Sequence, residues 1–116
     1  MTNSIFSKQL QFLKYVVNLN LGEVSHEESL TTAPNGGNSV NWLLGHMIEV
    51  RDGMRKALGL EPIADEAMIN LYKRGTENIT ADKAFKLEDL IEKYNRGSDE
   101  MIKRLESDEI TDAEAV

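Results

Sequence analysis

The chain has no cysteine, only two prolines, two histidines and one tryptophan, and 13 basic residues against 20 acidic ones. Without cysteine there is no disulfide framework, no thiolate nucleophile and no Cys-based zinc site, which fits a reducing compartment. The deficit of positive charge leaves a formal net charge of −7. Nucleic acid and anionic membrane surfaces would both be repelled at long range, so neither is an expected partner. No run approaches the roughly 18 apolar residues that a membrane span needs. The start, "MTNSIFSKQLQFLKYVVNLNLG", lacks the basic segment, apolar stretch and small-residue cleavage site of a signal peptide. A cytoplasmic location is expected.

What is present is enough apolar material for one core. Over 116 residues, 41% hydrophobic and 28% charged fits a single domain that needs neither metal nor crosslinks to fold. From Ile5 to Leu21, Phe6, Leu10, Leu13, Val17 and Leu21 recur at three- and four-residue steps with Lys8, Gln11, Lys14 and Asn18 between them. That spacing predicts an amphipathic helix, closed by Gly22 through the left-handed conformation open to glycine. Ser25 followed by Glu28 matches a capping box and predicts a helical turn or two before Pro34. Ser39 is a good N-cap for a second long helix with an apolar stripe of Val40, Leu43, Leu44, Met47, Met54 and Leu58, closed by Gly59 and Pro62.

A short helix is expected around "DEAMINLY", then a polar connection. The last long pattern runs through Leu87, Leu90, Ile91, Tyr94, Met101, Ile102 and Leu105. Gly97 interrupts it at about 1 kcal/mol relative to alanine, but the apolar register continues across it, so one helix is predicted. Nothing alternates as a half-buried strand would. The expected fold is an all-α, up-and-down bundle of three long helices with short connecting ones in a single domain, 1–116, with residues 107–116 an acidic, flexible tail.

The second long helix carries the chemistry. Trp42, His46, Glu49 and Gly53 fall together to one side of its apolar stripe, where a surface helix would place Lys, Glu and Gln. A central helix with neighbours on more than one side explains this, the glycines Gly45 and Gly53 permitting close backbone approach. His46 is the candidate metal ligand, through a neutral imidazole nitrogen, and Glu49, one turn on, is a weaker candidate. The alternative for His46 is a histidine hydrogen-bonded at a helical interface; for Glu49 it is exposure to solvent. His26 reads as an exposed first-turn residue. Trp42 reads as a core anchor whose indole N–H needs a partner. Arg51, Asp52 and Arg55 either recognise an anion through forked bonds or form a solvated face.

"SVNWLLGHMIEVRD" resembles the first histidine motif of the DinB/YfiT-like superfamily of four-helix bundles. "ESLTTAP" before it and "KLEDLIEKYNRGSDEMIKRLES" after it match that family's order of elements, so the resemblance covers nearly the whole chain. It implies that His46 is one of three ligands to a divalent metal, zinc or nickel, and that the other two come as His-x-x-x-His on a last long helix. It implies the chemistry of thiol-dependent S-transferases or hydrolases, in which the cation stabilises a deprotonated water or thiol. The sequence carries no such histidine pair, so the fourth bundle helix is expected to be missing and the metal site incomplete. The chain alone is then expected neither to hold the metal nor to catalyse. Beside this stands a second reading, a non-catalytic helical oligomerisation or protein-interaction module, because three helices of a four-helix arrangement leave apolar flank uncovered. A homodimer through helical faces is the expected partner state.

Overall fold

The structure, a computed structural model, describes residues 2–32, 34, 36–76 and 79–107, without the side chains of residues 2 and 3. Apart from Ser107, the expected acidic tail lies outside the described residues. Among these residues the chain is helical throughout its regular structure: α1 (Thr2–Leu21), α2 (His26–Ser29), α3 (Val40–Ala57), α4 (Glu66–Tyr72) and α5 (Leu87–Leu105). None of these helices is long and apolar enough to cross a membrane.

The boundaries follow local chemistry. Ser25 forms the capping box with Glu28, the two backbone N–H groups being satisfied reciprocally. The Ser39 hydroxyl accepts from the Trp42 N–H and starts α3. Asp65 accepts from the Met68 N–H and starts α4. Gly59, at φ 79°, takes the left-handed conformation after α3. Gly22 does not take it: α1 ends at Leu21 without a left-handed residue, the Val24 N–H turning back to the Leu21 carbonyl. α5 runs unbroken through Gly97, as its register predicts. No side chain of its own N-cap, Lys86, starts it; the His26 ring does, Nδ1 accepting from the Leu87 N–H at 3.1 Å. His26 is therefore a half-buried tie between α2 and α5 instead of an exposed first-turn residue.

α5 is the centre. Its Leu87, Leu90, Tyr94, Met101 and Leu105 are buried, with Gly97 and Ser98 between them. α1 lies antiparallel on it: Asn18 and Asn95 exchange amide hydrogen bonds at 2.7 and 2.9 Å, Lys14 meets Asp99 at 2.7 Å, and the Ser7 hydroxyl donates to Glu106. α3 runs parallel to α5. Asn41 at its start binds the Phe85 carbonyl just before α5, Arg51 reaches Ser98, and Leu58 just past its end accepts from Arg104. The expected up-and-down order is thus replaced by a crossover that returns through α4.

The second expectation that changes is which side of α3 is inside. Leu44 and Leu58 are buried as predicted, but Val40, Leu43, Met47 and Met54 are exposed. The inward side is Asn41, Trp42, Leu44, Gly45, Ile48 and Arg55. The reason is the crossover. Its irregular backbone presents N–H and C=O groups to α3, and buried groups of that kind need polar partners. Asp52 accepts from the N–H groups of Ile63 and Ala64 at 2.8 and 2.9 Å. Arg55, 3% exposed, donates to the Glu61 and Gly97 carbonyls and to the Glu100 carboxylate. Residues that look like a solvated face are holding a loop. Neither arginine is displayed for an anion, since Arg51 lies over the Tyr94 ring, 4.7 Å from its centre, and bonds Ser98.

Candidate metal-ligand position at His46

His46 sits where the end of α4 docks onto α3. Gly45 makes the docking possible, because a Cβ there would overlap the Tyr72 ring. Tyr72 is fully buried and its hydroxyl joins three segments, donating to Asn41 Oδ1 at 2.7 Å and accepting from the Phe85 N–H at 3.0 Å. Asn41 Nδ2 in turn donates to the Phe85 carbonyl at 2.9 Å. Burial pushes the Tyr72 phenol above its ordinary pKa, with the Phe85 N–H pulling the other way, which keeps it a donor.

This clamp sets the imidazole. His46 Nδ1 lies 2.8 Å from the Tyr72 carbonyl oxygen. A carbonyl only accepts, so Nδ1 carries the proton and the neutral ring keeps its lone pair on Nε2. Trp42 stacks on the ring at 4.6 Å between centres and 14° between planes, and its indole N–H donates to Thr76 Oγ1 at 2.9 Å. The ring is thereby fixed in tautomer and in plane. Nε2 has no hydrogen-bond partner among the described residues. A hydrogen bond from the far nitrogen to a carbonyl is how metal-binding histidines are commonly held.

The rest of a metal shell is not assembled here. Glu49 Oε2 is 3.8 Å from Nδ1, on the protonated side of the ring and away from the lone pair. His26 is committed to Leu87. Among the described residues no three His, Cys, Asp or Glu side chains stand together as metal ligands. A catalytic zinc takes three protein ligands and an open position, so the described residues fit one ligand of such a site and not the site.

Sequence reasoning located His46, Trp42 and the need for an indole partner. It did not find Tyr72, Asn41 or Thr76. Asn41 carried one available signal, a weak helix former on an arc it shares with Gly45 and Ile48. Comparison of the chain with family models, with curated proteins and with solved structures finds no match.

Proposed function

We propose that this chain is a DinB-like helical scaffold carrying an incomplete metal position at His46, related to metal-dependent S-transferases or hydrolases and not catalytic by itself. The observation that supports the reading is the 2.8 Å contact between His46 Nδ1 and the Tyr72 carbonyl, which leaves an oriented Nε2 lone pair. A structural histidine needs only one satisfied nitrogen. Here the stack on Trp42, the clamp of Tyr72 and the small residue at Gly45 fix the direction of the other one as well. No reaction step is assigned to the chain, because one imidazole holds a divalent cation only weakly and leaves unfilled the other protein ligands that a catalytic site needs.

The lone tryptophan reads the site. Nickel, which quenches indole emission at close range, is expected to quench Trp42 weakly in the native protein and in His26→Ala, and to leave His46→Ala unquenched. Equal quenching in His46→Ala overturns the ligand assignment. Nickel- or zinc-dependent thiol transfer or ester hydrolysis that is lost in His46→Ala would show a complete site and overturn its incompleteness.

A further inference from the structure

We propose that the outer faces of α1 and α3 are the interface between two copies of this chain. The proposal stands whether or not His46 binds a metal. Ten large apolar side chains are exposed among the described residues, and all ten lie on these two helices: Ile5, Phe12, Leu13, Tyr15 and Leu19 on α1, and the α3 set from Val40 to Met54. Their exposures run from 37% to 67%. At these exposures each offers on the order of 100 Å², so together they offer on the order of 1,000 Å². A standard interface takes roughly 800 Å² from each partner, and a typical monomer's largest apolar patch is about 300–600 Å². Together the outer faces of the two helices therefore expose about as much apolar area as one side of an interface takes.

Its form also fits a second copy. Val40, Leu43, Met47, Val50 and Met54 alternate steps of three and four, the a/d seam of a helix that packs against another helix. The seam carries no charge, and α1 contributes only Lys8 to the outer arc, its other lysine being turned to Asp99. Depletion of charge is what marks the centre of an interface. α1 and α3 share an apolar groove of about 190 Å³ between Val16, Val17 and Leu21 on one side and Val40, Leu43 and Met47 on the other, so the two helices adjoin beside the seam. An isologous contact needs a patch complementary to itself. An uncharged apolar seam provides that when the two α3 helices meet antiparallel, with Met47, its middle residue, nearest the two-fold axis.

Sedimentation equilibrium at micromolar concentration is expected to show a dimer; a monomer throughout overturns the proposal. Leu43→Glu combined with Val50→Glu changes side chains that are already exposed, so helical circular dichroism should be unchanged. Self-association should weaken on the order of a hundredfold. A folded double variant that still dimerises moves the interface elsewhere and overturns this assignment. Because the chain has no cysteine, Met47→Cys gives a clean crosslink. It should oxidise to a covalent dimer at concentrations where Glu92→Cys, on the exposed side of α5, does not; equal crosslinking by both overturns the assignment.

Discussion

Tyr72 and Tyr94 are both buried tyrosines that differ in what their hydroxyls meet. The Tyr72 hydroxyl has Asn41 and the Phe85 N–H; that of Tyr94 has no hydrogen-bond partner among the described residues. The same substitution should therefore act in opposite directions. Tyr72→Phe leaves a buried acceptor and a buried N–H unpaired and should lower stability by about 2–3 kcal/mol. Tyr94→Phe keeps the ring beneath Arg51 and removes an unsatisfied group, so stability should hold or rise by about 1 kcal/mol. Urea denaturation of the two variants checks both; a large loss in Tyr94→Phe would reveal a bound water. Tyr72 also gives a pH dependence. Its folded pKa is raised by burial, so above the ordinary tyrosine range, near about 10, the unfolded chain ionises first and binds fewer protons. Stability contributed by Tyr72 is present below that range and falls as pH rises through it. At this scale the sequence shows which residues are unusual, such as Trp42 and His46, but not which distant hydroxyl or carbonyl answers them. Thr76 and Tyr72 lie far along the chain, and no periodicity links them to α3.

Helix α3 contains two interior glycines with opposite roles. Gly45 faces the Tyr72 ring, whereas nothing stands within 4 Å of the place where a Gly53 Cβ would be. The sequence assigns both glycines to close approach, and only the first makes one. Gly53→Ala should stabilise the protein by roughly 0.5–1 kcal/mol through helix propensity alone. Gly45→Ala must displace a tyrosine that holds three segments, and a loss of about 1–3 kcal/mol from overpacking is expected. Thermal melting of the two variants should move in opposite directions. The elements themselves were largely legible because caps act locally. Ser25, Ser39 and the register across Gly97 are read within a turn or two of the residue, and each performs as its chemistry requires. The start of α5 was not legible, since its cap comes from His26, which lies 61 residues earlier. The inward side of α3 was not legible either, because hydropathy ranks Asp52 and Arg55 as solvent-facing, and only the path of the crossover turns them into partners for buried backbone.

At the scale of the whole molecule, the three long helices among the described residues leave apolar surface uncovered. α5 is covered by α1 and α3, while α1 and α3 each keep an apolar outer face. The sequence anticipates an uncovered flank from the number of long helices. It does not anticipate that the flank includes most of the stripe expected to be buried. Charge then governs how such a body associates. The chain carries −7, and the described molecule measures 46 × 28 × 23 Å. At about 0.01 M salt the Debye length is roughly 30 Å, comparable to the molecule, so two copies repel across their whole width; at about 0.15 M it is roughly 8 Å. The uncharged seam between them loses nothing to screening, and apolar contact is not weakened by simple salt at these concentrations. Self-association through α1 and α3 should therefore tighten as salt is raised over this range, measured as the sedimentation dissociation constant. Weakening with salt would mean that ion pairs hold the copies together, which the charge-free seam does not allow.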